Sequence, residues 1–211
     1  MYKLFDWKRE INKTELCQVI KALENDNIVI FPTETVYGIG ANATSINAIN
    51  KVYEAKNRPR EKAINILVSC KEDIEKYAEI TSSIEQKIIE NFMPGPITII
   101  LKRKNTFEGK GFTLDDNTIG VRIPNNKIIM TILENINFPL IAPSANISGK
   151  NSGIRVNDIA KDFENSVDII IDGGDAKLGV SSTIVKVVDN KIHILREGTI
   201  TKEEIEAKIL C

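Results

Sequence analysis

Residues 28–40 read Ile-Val-Ile-Phe-Pro-Thr-Glu-Thr-Val-Tyr-Gly-Ile-Gly. The first four are all apolar, which predicts a short interior strand covered on both faces. Pro32 ends that strand. A loop carrying Thr33, Glu34, Thr35 and Tyr37 follows, and Gly38 and Gly40 then permit tight turns or close backbone approach. In open α/β sheets ligands bind where loops leave the carboxyl ends of strands, so this loop is the first candidate site.

Outward from this point helices and strands alternate. Asn12 and Glu15 have the spacing of a capping box, and Leu16, Val19, Ile20 and Leu23 recur at helical spacing, predicting a helix over 13–26. Thr44 or Ser45 caps a second helix with Ile46, Ile49, Val52 and Tyr53 on one side. Residues 64–68, 97–101, 119–123, 139–142 and 167–171 are strand-like, and 72–77, 83–92 and 127–135 are helical. Pro94-Gly95-Pro96 is a rigid break, and the polar residues 102–117 predict a loop or loose hairpin. Residues 183–188 and 191–195, split by Asp189-Asn190, predict a hairpin. Thr201 and Glu204 give a second capping box, opening a terminal helix through 210. The expected class is α/β (α+β), one domain over 1–211 with a mixed sheet and helices against it. No internal repeat or interdomain linker interrupts it.

Composition sets outer limits. In 211 residues, 42% hydrophobic and 27% charged fits a globular chain. A formal net charge of -1 rules out attraction to a polyanion by the protein as a whole and leaves room for a local basic cleft. Cys17, Cys70 and Cys211 are far apart with no CxxC pair, which argues against a thiolate zinc site and a disulfide scaffold. GxxxxGK[ST] and GxGxxG are both absent. The single histidine, His193, reads as a partly buried strand residue rather than a triad member. The N-terminus lacks the apolar core of a signal peptide. The longest apolar runs, 28–31 and 97–101, fall far short of the roughly 20 residues of a membrane span. The expectation is a cytoplasmic protein with no membrane segment.

Candidate chemistry lies at the strand ends. Ser144, Asn146 and Ser148 follow one apolar run, and Asp172, Gly173 and Gly174 follow another. Such loops wrap polar ligands with N–H groups and hydroxyls, or are ordinary turns. Lys56 and Arg58, just before Pro59, share a face if the segment is extended, and two cations on one face suit a triphosphate. Arg122, within Gly-Val-Arg-Ile-Pro, needs a partner or a ligand because burying an unpaired charge is costly, and Arg196 is similar. Each cation alone also suits a surface salt bridge. Glu34, Asp172 and Asp175 can reach Mg²⁺ through phosphate or water, but their spacing does not single them out. The basic stretch 51–62 serves as a phosphate clamp or touches RNA. With 6% aromatics there is no aromatic-and-basic RNA-reading strand.

Seven segments in order resemble the YrdC-like family of threonylcarbamoyl-AMP synthases. They are Pro32-Thr33-Glu34-Thr35-Val36-Tyr37-Gly38, Lys56-Asn57-Arg58-Pro59, Pro94-Gly95-Pro96-Ile97-Thr98, Val121-Arg122-Ile123-Pro124, Ser144-Ala145-Asn146-Ile147-Ser148-Gly149, Ser181-Ser182-Thr183-Ile184-Val185 and Ile194-Leu195-Arg196-Glu197-Gly198. The resemblance covers about 14–201 and is to the short, single-domain form: a twisted mixed sheet flanked by helices, with a concave ligand cleft.

The resemblance implies an enzyme joining L-threonine, bicarbonate and ATP into threonylcarbamoyl-adenylate and pyrophosphate, with Mg²⁺ accompanying the ATP. A separate transferase complex then carries the product to tRNA. It also implies Lys56 and Arg58 as the catalytic phosphate clamp, and Ser144, Asn146 and Arg196 as nucleotide contacts. Thr33, Tyr37, Arg122 and Ser182 fall at the threonine side, with Ser182 also near the nucleotide. This chain has Ala63-Ile64 where many members carry Pro-Leu, Leu67 where some carry histidine, and Glu34 where aspartate is frequent. An RNA-binding or ribosome-associated module of the same fold is the alternative. A carbamoyl-transfer protein of the hydrogenase-maturation type would bring zinc-finger and acylphosphatase parts that three cysteines and one histidine do not provide.

Overall fold

The computed structural model describes residues 2–107, 112 and 117–209. In chain order the elements are β1 (Lys3–Asp6), α1 (Lys13–Glu24), β2 (Val29–Phe31), β3 (Gly38–Asn42), α2 (Ile46–Ala55), β4 (Ile66–Leu67), α3 (Lys71–Tyr77), β5 (Ala78–Glu79), α4 (Ser83–Phe92) and β6 (Ile97–Arg103). There follow β7 (Thr118–Arg122), α5 (Lys127–Glu134), β8 (Leu140–Ile141), α6 (Val156–Ile159), β9 (Ile169–Asp172), β10 (Thr183–Val188), β11 (Lys191–Arg196) and α7 (Lys202–Ile209). The strands form one sheet in the order β1-β9-β2-β3-β8-β4-β7-β6-β10-β11, with β5 added to β6. Pairing is mixed. β9 runs parallel to both β1 and β2, whereas β2–β3 and β10–β11 are antiparallel.

The all-apolar run before Pro32 is an interior strand because both sheet faces are covered. Val29 and Phe31 join Val19, Leu23, Ile128 and Ile132, from α1 and α5, on one face. Ile30 joins Ile49, Val52 and Tyr53, from α2, on the other. Alternate residues of one strand thus feed two cores. Among the described residues no helix is long and apolar enough to cross a membrane.

Capping follows the sequence closely, with one exchange of partner. Asn12 Oδ1 accepts the N–H groups of Thr14 at 2.9 Å and Glu15 at 3.1 Å, but Glu15 does not return the bond. Its Oε2 accepts from Trp7 Nε1 at 2.6 Å and ties the N-terminal arm to α1. Thr201 and Glu204 form both halves of their box. Asp189 and Asn190, at φ 51° and 56°, make the two-residue turn of the β10–β11 hairpin.

Several expectations change. Gly38 and Gly40 open a strand rather than a turn, and neither has positive φ. Their role is close approach. A Cβ on Gly40 would lie 2.4 Å from Phe31 Cε1, and one on Gly38 2.9 Å from Phe31 Cε2. Ile46 is 54% exposed, so the apolar side of α2 begins at Ala48 and Ile49. His193 is exposed, on the outermost strand of its edge. β6 runs two residues past its expected end, to Arg103. Of the loop expected over 102–117, residues 108–111 and 113–116 lie outside the described residues, as do Leu210 and Cys211.

The Phe31–glycine contact yields a test. Gly40→Ala forces the Phe31 ring aside, and overpacking of this kind costs about 1–3 kcal/mol. The urea midpoint is expected to fall, and Phe31→Leu in the same chain to recover part of the loss. Equal midpoints for Gly40→Ala and the parent would reject the contact.

Candidate active site

A cavity of about 290 Å³, at the small end of ligand pockets, lies over one face of β6, β7 and β10, lined by their alternate residues Thr98 and Ile100, Gly120 and Arg122, and Ile184 and Lys186. The turn after β2 brings Thr33 and Thr35, the last residue of β7 brings Arg122, and the loop after β8 brings Ser144. Ser182 stands just before β10, Arg196 ends β11, and Arg58 follows α2. Ile64, Ile100, Ile119 and Leu195 add apolar lining, and Lys186, paired with Ile100 across β10 and β6, lines the cavity beside them.

The threonine hydroxyls are ordered by Arg122. Thr33 Oγ1 donates to Val36 O at 2.6 Å, so at its 2.8 Å contact with Thr35 Oγ1 it accepts. Thr35 Oγ1 in turn accepts from Arg122 Nη2 at 3.1 Å. Donation therefore runs from Arg122 to Thr35, from Thr35 to Thr33, and from Thr33 to the acceptor Val36 O. Arg122 Nε donates to Gly95 O at 3.1 Å, and Nη2 pairs with Glu34 Oε1 at 2.7 Å, both side chains being under a tenth exposed. Arg122 thus has its expected partner, and it is Glu34. Glu34 Oε2 is buried with no hydrogen-bond partner among the described residues.

On the opposite wall Arg196 donates from Nε (3.1 Å) and Nη2 (2.7 Å) to Ser182 O, and Nη2 also reaches Ser182 Oγ at 3.2 Å. That hydroxyl is 2.9 Å from Thr98 Oγ1. Arg58 donates to the carbonyls of Lys62 (3.0 Å) and Ala63 (2.7 Å), folding its guanidinium against its own turn. Burial lowers the pKa of Arg196, and repulsion from Arg122 and Arg58 lowers it further. Burial also lowers that of Arg58. Three guanidiniums therefore share one field, and among the described residues Glu34 is the one carboxylate paired with them and none lines the cavity.

Two sequence-predicted residues stand outside the lining, and a third turns its hydroxyl to another partner. Lys56 does not line the cavity; it is buried, and Nζ donates to the carbonyls of Ser144 and Asn146. Burial first, then Arg58, holds its pKa down at about 7. The segment 56–58 is not extended: Lys56 is helical and Asn57 sits at φ 48°, so the two cations do not share a face. Asn146 is also outside the lining. Tyr37 lines the cavity, but its hydroxyl donates to Gly174 O at 2.7 Å and accepts from Gly173 N at 3.2 Å.

Thr98 and Asn65 line the cavity and were not among the residues picked from the sequence. The available signal was a polar residue interrupting an apolar strand, as in Ile97-Thr98-Ile99 and Ile64-Asn65-Ile66. Leu67, Ala63 and Ile64, where this chain departs from the family pattern, line the cavity too. Among the described residues no group of three or more His, Cys, Asp or Glu could hold a metal ion.

A cavity with converging guanidiniums, hydroxyls and apolar side chains has the chemistry to suit a small anionic molecule. The Sua5–YciO–YrdC family model, described by the words "Telomere recombination", matches residues 21–198. A relative from Methanocaldococcus jannaschii is 41% identical over 203 residues, covering 96% of this chain and 95% of that protein. The threonylcarbamoyl-AMP synthase of Bacillus subtilis is 35% identical over 201 residues, covering 94% of this chain and 57% of that one. The crystal structure of Pyrococcus abyssi Sua5 complexed with L-threonine superposes with a TM-score of 0.89 at 33% identity, covering 98% of this chain and 60% of that one. The chain belongs to the Sua5–YciO–YrdC family, and it spans less than two thirds of the Bacillus and Pyrococcus proteins.

Two tests follow from the geometry. Glu34→Gln leaves the buried Arg122 without its counter-charge, and breaking such a pair costs about 3–5 kcal/mol in urea unfolding. A loss under about 1 kcal/mol would mean the pair is dispensable. Burial raises the Tyr37 pKa above its ordinary 10.0. Its neutral phenol therefore contributes fully below pH 10, and the contribution declines above it, where the unfolded chain ionises first. Tyr37→Phe is expected to lower stability at pH 7 and to flatten the decline above pH 10 by about 1.4 kcal/mol per pH unit. An unchanged slope in unfolding measured from pH 9 to 11.5 would contradict this.

Proposed function

We propose that the protein is an L-threonylcarbamoyladenylate synthase. The observation that carries this reading is the convergence of Arg58, Arg122 and Arg196 on a cavity with no carboxylate among its described lining residues. A ligand set of triphosphate, bicarbonate and an amino-acid carboxylate supplies the negative charge such a site lacks. The apolar lining around Ile100, Ile119 and Leu195 suits a nucleobase.

In this reading Arg58 and Arg196 hold the triphosphate, and Ser144 and Ser182 take nucleotide oxygens. Arg122, already oriented by Glu34 and Gly95, takes the threonine carboxylate beside Thr33 and Thr35. Lys56 and Asn146 support the walls from behind, and Tyr37 lines the cavity with its hydroxyl tied to the β9 loop. The threonine amine attacks bicarbonate to give the carbamate and water. A carbamate oxygen then attacks the α-phosphorus, and pyrophosphate leaves. The residues contribute position and countercharge, and no side chain needs to act as a general base. Mg²⁺ enters with ATP, held by phosphate and water, as part of the substrate. The adenylate passes to a separate transferase that modifies tRNA.

The test is pyrophosphate release by purified protein given ATP, L-threonine and bicarbonate. Release is expected only when all three are present, and Arg58→Ala should lower kcat/KM about 10²–10³-fold. Threonine-independent release, or none together with tight RNA binding, would replace this reading with that of an RNA-binding module.

A further inference from the structure

Lys56 and Arg58 are two residues apart and face different environments. Arg58 lines the cavity; Lys56 is 1% exposed and lies behind its wall. The Lys56 side chain and main chain together grip one loop at three points. Nζ donates to Ser144 O and Asn146 O, and Lys56 O accepts the Ser148 N–H at 2.8 Å. A buried ammonium normally has a carboxylate partner. Here the partners found among the described residues are carbonyl oxygens, so the cation is compensated by loop dipoles, and the loop is shaped to supply them.

The loop passes this constraint on. Asn146 has its amide fully engaged: Oδ1 accepts from Ser144 Oγ, and Nδ2 donates to Ile147 O at 2.9 Å and Lys150 O at 2.8 Å. Of Lys56, Ser144 and Asn146, only Ser144 reaches the cavity lining. Its Oγ spends its proton on Asn146, which leaves lone pairs and the adjoining backbone to meet a ligand or its bound cation.

We propose that Lys56 is a positioning residue: its ammonium fastens the 144–148 loop so that Ser144 meets the nucleotide, and it makes no contact with the nucleotide itself. This rests on the nucleotide reading of the cavity. It separates the two cations of the motif into one that binds and one that builds.

The test combines a double-mutant cycle on ATP affinity with amide hydrogen exchange, on the full chain. Lys56→Met is expected to speed exchange at 144–148 about tenfold or more while β2 and β9 stay protected. It should weaken ATP binding about tenfold in the parent and less than about twofold in a Ser144→Ala chain, because both changes remove one interaction. Arg58→Met should have the same effect in both backgrounds. Lys56→Gln, whose amide offers two N–H groups, should restore part of the exchange protection and serves for the same cycle if Lys56→Met does not fold. An equal effect of Lys56→Met on ATP binding in both backgrounds, or unchanged exchange at 144–148, overturns the proposal. Absence of ATP binding by the parent protein overturns the nucleotide reading instead, and exchange still decides the tether.

Discussion

Four stretches of chain meet on Tyr37, and the cavity exists because they do. Its N–H donates to Gly153 O at 3.1 Å, its carbonyl accepts the Ala145 N–H at 2.7 Å, and its hydroxyl bridges Gly173 and Gly174. One residue at the start of β3 therefore sets the distance between the β8 loop, the β9 loop and the segment leading into α6. The phenol is buried, so each of these bonds is made out of reach of competing water and is correspondingly costly to lose. The N-terminal arm reinforces the same point. Lys8 Nζ pairs with Asp172 Oδ2 at 2.7 Å, and Asp172 Oδ1 accepts the Gly174 N–H at 3.0 Å. Lys8 is half exposed, so its share is small beside that of the buried phenol.

That rigidity permits an electrostatic arrangement a softer scaffold would relax. Burial first, and then the charges of Arg122 and Arg58, lower the pKa of Arg196, and among the described residues only Arg122 of the three has a carboxylate partner. The guanidiniums are held in place by carbonyls instead: Gly95 for Arg122, Ser182 for Arg196, Lys62 and Ala63 for Arg58. A carbonyl fixes direction without cancelling charge, so the cluster keeps its attraction for an anion. Binding an anion there relieves repulsion as well as forming contacts, which couples occupancy to fold stability.

Much of this was legible in the sequence, where local rules act. The buried strand before Pro32, the Asp189-Asn190 turn, the box at Thr201 and Glu204, and the helix capped by Asn12 each follow from a few neighbouring residues. The pieces that escaped depend on distant partners. β1 is short and carries an exposed Leu4, and it is a strand because β9 lies beside it. β3 has glycines, poor strand formers, at its first and third positions; it is a strand because β2 and β8 pair with it, and glycine fits there because the Phe31 ring occupies the space that side chains would take. Glu15 found Trp7 rather than the backbone of Asn12, a competition that spacing alone cannot decide.

The same limit applies within the site. The family resemblance implied Lys56, Arg58, Ser144 and Asn146 as one nucleotide site; in the structure Lys56, Ser144 and Asn146 share one set of hydrogen bonds, while Arg58 and Ser144 line the cavity. Spacing could not say which of them face the cavity, because that depends on a backbone angle. Had Asn57 been extended, both cations would have pointed the same way. At φ 48° it turns the chain, a conformation asparagine adopts more readily than most residues, and one cation goes to the cavity while the other goes to the loop. A four-carbon stem can carry an ammonium from the end of α2 to two carbonyls of a loop 88 and 90 residues later, which a shorter side chain could not span. The requirement for lysine at this position is thus met by reach and donor number, and the requirement for arginine at 58 by charge held at the surface of the cavity.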